Sequence, residues 1–437
     1  MKKKLLAILL VIAIVAALAI TLAACDPKDN SIDLKVGAIM VGDETEGYTE
    51  AHMTGIEAAV EAIKTKTGKN VEIVWKKMIH ETAESCGTAI QELISAGCTL
   101  IISNSYGHQY YMSEAAIANP NVTFIAMTGD YAAITPIAPD GTGTPITNFK
   151  NAFTKVFEAR YVSGYVAGKK LAELVAAGTI SPEATPNSYS GSNIKLGYVG
   201  AYNYAEVVSG YTAFYLGVKS VVPNVVMDVK YTGSWFDFDK EKQAAEALIA
   251  SGCVIIGQHA DSEGAPTACE NAFNSGKVVY SVGYNVDMMQ AAPHAALTSA
   301  TNNWNVYYEY AFTCALNGEA ITTDWAEGYS QDAVGITAIN TAAFTADPTA
   351  DVNEIINQLK AGTLHVFDTS KFTVNGQTVT SALCDMSRLD FSNWPNVAVI
   401  YKGANQEAIH DGYFDESTYR SAPYFALRID GITELAS

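Results

Sequence analysis

The sequence predicts an α/β protein made of two doubly wound parallel-sheet lobes joined by a hinge. Three observations lead there: an internal repeat, strands apolar along their whole length, and glycine-capped helices between those strands. Residues 89–102, Ala-Ile-Gln-Glu-Leu-Ile-Ser-Ala-Gly-Cys-Thr-Leu-Ile-Ile, match 244–257, Ala-Ala-Glu-Ala-Leu-Ile-Ala-Ser-Gly-Cys-Val-Ile-Ile-Gly, at an offset of 155. Lys35-Val-Gly-Ala-Ile39 pairs with Lys195-Leu-Gly-Tyr-Val199, Gly55 with Gly210, and Val122-Thr-Phe-Ile125 with Val278-Val-Tyr-Ser281 at nearly the same spacing. Strands that are apolar throughout need both faces covered, and alternation with helices makes the sheets parallel.

The N-terminus reads as a leader over 1–24: Lys2, Lys3 and Lys4, then an apolar run that closes on Leu22, Ala23, Ala24 and Cys25. A basic start, an apolar stretch and small residues before a cysteine form a lipoprotein signal. Cleavage before Cys25 frees its thiol and amino group for acylation, and two or three acyl chains anchor a protein that one chain holds only marginally. Residues 25–33 carry little that can enter a core and are expected to be a tether. The remaining chain is then expected on the outer face of the plasma membrane, held there by lipid.

From residue 34 each half repeats strand, helix, strand, helix, strand, helix, strand. Gly97 and Gly252 close the helix of the repeated segment, as left-handed C-terminal positions do. Lobe one is expected over 34–157 plus 297–335, and lobe two over 158–296 plus 336–437. The apolar stretches 397–401 and 422–427 are expected to complete the second lobe. Cys98 and Cys253 read as small buried hydrophobes rather than disulfide partners.

Ligands of such sheets bind beyond the carboxyl ends of the strands, here loops 41–52, 103–109 and 128–131, with 200–206, 233–237, 257–264 and 283–289 opposite. These loops hold Tyr48, Tyr106 beside Gly107, Tyr202, Tyr204, Trp235, Phe236 and Tyr284. They also hold many carboxylates, among them Asp130, Glu206, Asp261 and Asp287, but no Arg or Lys. Sites for phosphate or carboxylate normally supply a cationic fork, so an anionic ligand is disfavoured. A purine ring stacked between aromatic faces fits, and so does a polyamine or quaternary amine. With 27 basic against 46 acidic residues the chain has a net charge of -19, which excludes nucleic acid as a partner.

Five further stretches carry a family resemblance: Glu158-Ala-Arg-Tyr-Val-Ser-Gly-Tyr-Val-Ala-Gly168, Thr232-Gly-Ser-Trp-Phe-Asp-Phe-Asp239, Gln258-His-Ala-Asp-Ser262, Gly283-Tyr-Asn-Val-Asp-Met288 and Leu297-Thr-Ser-Ala-Thr-Asn-Asn-Trp304. With the lipobox they resemble the basic membrane protein family of ABC-transporter substrate-binding lipoproteins, of the purine nucleoside receptor type. The resemblance implies a type I periplasmic-binding-protein fold that closes on a purine nucleoside or base and delivers it to a membrane permease and its ATPase. It implies Tyr48 and Trp235 as stacking rings and places Asn285 and Asp287 where the family binds ribose with carboxylates. Asn285, and Asn302 where some members carry lysine, are departures that resemble a branch preferring free bases. Asp261, Asp287 and Asn285 are therefore the expected polar anchors, with Tyr106 and Tyr202 as walls.

Other chemistry finds no support. The stretch Gly164-Tyr-Val-Ala-Gly-Lys169 has one residue too few for a phosphate loop and no Ser or Thr after the lysine, so it reads as a glycine-packed helix. His80-Glu81 lacks the second histidine of a zinc protease, no Gly-x-Ser-x-Gly elbow occurs, and Asp239 suits a helix N-terminus. His52 and His108 are expected in cleft loops. No cofactor, metal or catalytic group is expected. A receptor for another aromatic or cationic solute is the rival reading, and a surface nucleoside hydrolase a weaker one.

Overall fold

A computed structural model describes residues 31–134, 146–181, 193–390, 393 and 396–436. The leader and Cys25 lie outside the described residues. Of the expected tether, 31–33 are described and are tied to Asn70, whose Nδ2 donates to the Ser31 carbonyl at 3.0 Å and whose N–H donates to Asp33 Oδ2 at 2.7 Å.

The first sheet contains strands β1 Leu34–Ile39, β2 Val71–Lys76, β3 Leu100–Ser103, β4 Thr123–Met127 and β5 Phe149–Thr154, with β11 Asp324–Glu327 at its edge. All its pairings are parallel, in the order β2-β1-β3-β4-β5-β11. The second sheet contains β6 Ile194–Gly200, β7 Val225–Tyr231, β8 Ile255–Gln258, β9 Tyr280–Tyr284, β10 Ala296–Asn302, β12 Val334–Ile336 and β15 Ile432–Glu434. Its order is β15-β7-β6-β8-β9-β10-β12, parallel except for β10 against β12. The two halves of the repeat thus build equivalent sheets.

Helix boundaries follow local chemistry. Helix α1 (Gly47–Thr67) stops at Gly68, whose φ of 76° lets its N–H return to the Lys64 carbonyl at 2.9 Å. Helix α2 (Ala83–Ser95) starts at Thr82, whose hydroxyl accepts from the Ser85 amide, and gives way to Gly97 at φ 84°. Helices α3 (Gln109–Ala118) and α4 (Tyr131–Ile134) cover the first sheet. Helices α5 (Val156–Ala176) and α6 (Ala205–Val221) pack through glycine: a Cβ on Gly164 would lie 2.2 Å from the Phe214 carbonyl, and one on Gly217 2.1 Å from that of Tyr161. Helix α7 (Phe238–Ala250) is capped by Asp237, with Asp239 in its first turn, and its counterpart of Gly97 is Gly252 at φ 96°. Helices α8 (Gly264–Asn274), α9 (Trp304–Asn317) and α10 (Thr349–Lys360) complete the set used below.

The chain passes between the sheets after β5, after β10 and after β11, and the tail then reaches back to lobe one before residues 432–434 join the second sheet. The expected boundary at 297 falls inside β10, which pairs with β9 and so belongs to lobe two; the crossing comes at Asn303, and α9 returns to pack on α1. The crossings are bonded to one another. Lys155 N–H donates to the Glu327 carbonyl at 2.8 Å, Asn303 N–H to that of Ala333 at 2.9 Å, and Thr154 Oγ1 to Asn302 Oδ1 at 2.5 Å.

The tail departs most from expectation. Residues 398–402 form strand β14 (Ala398–Lys402), paired only with β13 (Ser387–Asp390) in an exposed hairpin, with Val399 61% exposed. It is β15 that extends the second sheet. Between them the tail also grips lobe one: Arg388 stacks on Tyr131 and donates to Ser113 Oγ at 3.0 Å, and Ser421 donates to Asp324. The six described cysteines are buried and unpaired. No helix among the described residues is long and apolar enough to cross a membrane.

Candidate functional site

A cavity of about 390 Å³ lies between the carboxyl ends of the two sheets, within the range of small-molecule sites. Lobe one supplies the turn after β1, the start of α1, and the turns after β2, β3 and β4; lobe two supplies the turns after β6, β7, β8 and β9. The lobes meet at its rim, where a Cβ on Gly47 would lie 3.3 Å from the Asp261 carbonyl and 3.2 Å from the Val286 side chain.

Rings face the space from both sides. Tyr48 and Tyr106 stand on lobe one, and Tyr202, Trp235, Phe236 and Tyr284 on lobe two. The Tyr48 hydroxyl donates to the Asn104 carbonyl, and Asn104 Oδ1 accepts from Val41 N–H at 2.8 Å, so the turns after β1 and β3 hold that ring jointly. Tyr202 meets Trp235 edge-on at 5.3 Å and stacks on Tyr204 at 5.5 Å. Two matching turns carry a non-glycine residue in the left-handed region, Thr128 (φ 61°) after β4 and Asn285 (φ 63°) after β9, a strain that clusters at ligand clamps.

Five carboxylates line the same space: Asp43, Glu46, Glu81, Glu206 and Asp261. Among the described residues that line it there is no Arg or Lys. Burial, reinforced by Glu46, Glu241 and Glu206, pushes the Asp261 carboxyl well above the ordinary range, and burial raises Glu46 as well. Hydrogen bonds from Thr45 hold Asp43 down. His259, buried and close to Arg160, is lowered to about 4, so at neutral pH its ring is uncharged. Its Nε2 lies 3.1 Å from Glu206 Oε1, which fixes Nε2 as the protonated nitrogen. The cavity therefore offers flat apolar faces and acceptors, a setting for a planar ligand with N–H groups or for a cation.

Of the eight expected binding residues, Tyr48, Tyr106, Tyr202, Trp235 and Asp261 line the cavity. Gly107 does not: its N–H donates to Glu81 Oε1 at 2.9 Å, and a Cβ there would clash with that carboxyl at 2.4 Å, so it places Glu81. Asn285 lies one step behind the wall, its Nδ2 donating to Asp261 Oδ1 at 2.7 Å while its Oδ1 accepts from Asn302. Asp287 faces a separate groove beside α1 and caps its own turn through Met289 N–H. His52 is a core residue stacked on Trp304 at 4.3 Å, and His108 Nε2 bonds the Ile79 carbonyl. Glu81 and Met78 were missed although the repeat points to them: an offset of 155 carries the 233–237 turn back onto residues 78–82. His259 and Glu206 sat in quoted stretches or loops without being singled out.

The signature of the family of PnrA-like ABC transporter substrate-binding proteins, Bmp, matches residues 45–364. The chain is 30% identical over 286 residues to a purine-binding protein of Brucella abortus, covering 65% of this chain and 69% of that one. It is 28% identical over 209 residues to an ABC transporter protein of Haloferax volcanii whose assignment to glucose is itself provisional, covering 48% of this chain and 44% of the relative, less than half its length. An ABC transporter solute-binding protein from Aeropyrum pernix shares the fold at 14% identity, with a TM-score of 0.57 over 76% of this chain and 93% of that one. The fold is the periplasmic-binding-protein-like α/β arrangement. The chain belongs to the family of PnrA-like ABC transporter substrate-binding proteins.

Proposed function

We propose that the chain is the lipid-anchored extracytoplasmic receptor of an ABC importer and that it closes on a purine. The observation that carries this reading is the cavity itself, where rings from both lobes face a space whose acceptors are carboxylates. A purine stacks on such rings at about 1–3 kcal/mol per ring while its N–H groups donate to the acids. The Brucella relative, described as purine-binding, supports the same class. A free base is favoured over a nucleoside. Asn285 is engaged by Asp261 and Asn302, and Asp287 faces away, which removes the ribose carboxylates the resemblance implied. Contacts from both lobes exist together only in the closed form, so the ligand acts by shifting the lobe equilibrium. A permease and a separate ATPase are the expected partners, and Cys25 is the expected acylation site.

The test is thermal unfolding of the chain from Asp26 onward with adenine, guanine, adenosine, inosine, spermidine or choline. A ligand at about 100 times its dissociation constant stabilises by roughly 2.7 kcal/mol. Purines should raise the midpoint, bases more than nucleosides. A shift with the amines alone would establish the second reading, a cation receptor, which the five lining carboxylates favour.

A further inference from the structure

Behind the lobe-one wall of the cavity lies a guanidinium that no strand-end loop supplies. Arg420 comes from the C-terminal segment, beyond the residues 45–364 that carry the family signature. Its Nη1 lies 2.9 Å from Asp130 Oδ2 in an ion pair whose side chains are 12% and 8% exposed. The same Asp130 oxygen accepts from the Tyr106 hydroxyl at 3.2 Å, and Tyr106 faces the cavity. Asp130 Oδ1 accepts from Gln109 Nε2 at 3.3 Å, and Gln109 Oε1 accepts from the Asp130 and Tyr131 amides. The turns after β3 and β4 are thus joined through one carboxylate, and its charge is matched from the tail.

The tail is held firmly enough to do this. Ser421 N–H and Oγ donate to the two Asp324 oxygens at 2.6 and 2.5 Å, which fixes the backbone next to Arg420 on the edge of the first sheet. Glu416 accepts from the Tyr424 and Phe425 amides, and Phe425 is buried against Phe367 at 4.2 Å. Burial pushes the Asp130 carboxyl up and Arg420 is the leading charge that opposes it, so without the guanidinium that buried acid keeps only the hydrogen bonds from Tyr106 and Gln109 and the weaker pull of Arg388.

We propose that Arg420 is a positioning residue of the binding cavity: through Asp130 it holds Tyr106 in place, so a segment outside the family signature completes the site. The proposal rests on the cavity being the ligand site. It places the Tyr106 wall under the control of the tail, and any change that lifts the tail from Asp324 loosens that wall.

The experiment uses the mature chain with R420M, R420K, D130N and the double variant R420M/D130N. Without ligand, hydrogen exchange is followed in peptides covering 103–109 and 128–131; with ligand, the dissociation constant for adenine is measured. R420M should speed exchange in both loops but not in α1, and weaken adenine by roughly fivefold or more, the lower end for coupled groups. R420K should recover most of both effects. The double variant should bind no worse than D130N, because Arg420 acts through that carboxylate. Wild-type exchange and affinity in R420M, or losses in the two single variants that simply multiply in the double, would overturn the proposal. If R420M does not fold, D130N and R420K decide: D130N must loosen the same two loops. If the wild type binds no purine yet the exchange pattern appears, the purine reading fails and the positioning role stands.

Discussion

Trp235 and Asp261 show how one cavity assigns different work to neighbouring side chains. Trp235 is half-buried and gives a face, so W235A should weaken adenine by roughly 5- to 150-fold, the equivalent of about 1–3 kcal/mol per stacked base, with little change in melting temperature. Calorimetric titration checks this. Asp261 is buried beside other acids. D261N should leave a purine partly bound but abolish binding of a cation, and titrating both ligands separates the readings. Glu241 controls the turns that carry these two residues, accepting from the Asp237 amide at 3.1 Å and from that of Ser262 at 3.1 and 3.2 Å. Burial raises its carboxyl from 4.5 to about 7. The folded protein therefore keeps a proton that the unfolded chain has lost, and stability present below pH 4.5 declines as pH rises toward 7 by up to about 3 kcal/mol. E241Q should match the wild type at low pH and flatten this decline, as urea unfolding at several pH values would show. Sequence reasoning reached Trp235 and Asp261 because each sits at a strand end. It misplaced Asp287 because the chain turns at Asn285 (φ 63°) just after β9, and the residues beyond that turn line the groove beside α1 instead of the cavity.

At the level of elements, the repeat made the strands and helix ends legible because burial on both faces and glycine stops leave direct marks in sequence. The same repeat contained the turn at 77–82, which went unread because its residues, Lys77 to Thr82, show neither aromatic enrichment nor glycine. That α5 packs through its glycines was readable from Gly164 and Gly168, whereas its partner α6 and the matching Gly217 were not. The closeness of the α5–α6 contact predicts a large penalty: G217A drives a methyl group to 2.1 Å from the Tyr161 carbonyl, and backbone atoms cannot yield as side chains do. Loss of about 1–3 kcal/mol or more is expected, read as a lowered denaturation midpoint. Gly68 offers the contrast. Nothing lies within 4 Å of a Cβ there, so G68A should cost only the strain of a positive φ, about 1 kcal/mol.

Across the whole molecule, the hydrogen bonds that join the crossings, above all Thr154 to Asn302, form a narrow link about which two rigid lobes can turn. Binding of adenine should reduce the radius of gyration in solution scattering, and an unchanged radius would mean that the lobes do not close on the ligand. The tail was the least legible part. Its short ladders have no periodicity, its most apolar strand is exposed, and its attachments to lobe one rest on single residues, Arg388, Arg420 and Ser421, that no pattern distinguishes.

The strand order has a consequence for how such a chain is made. Residue 432 pairs with residue 227, and residue 324 pairs with residue 151. Neither sheet is a contiguous stretch of sequence, so a chain that emerges N-terminus first carries both sheets unfinished until late. Lobe one can close only after residue 327 has emerged, and lobe two only after residue 434. Pairings this distant make folding slow and late. On the reading proposed above, as an exported receptor, the chain therefore arrives outside the membrane with both sheets still open at an edge.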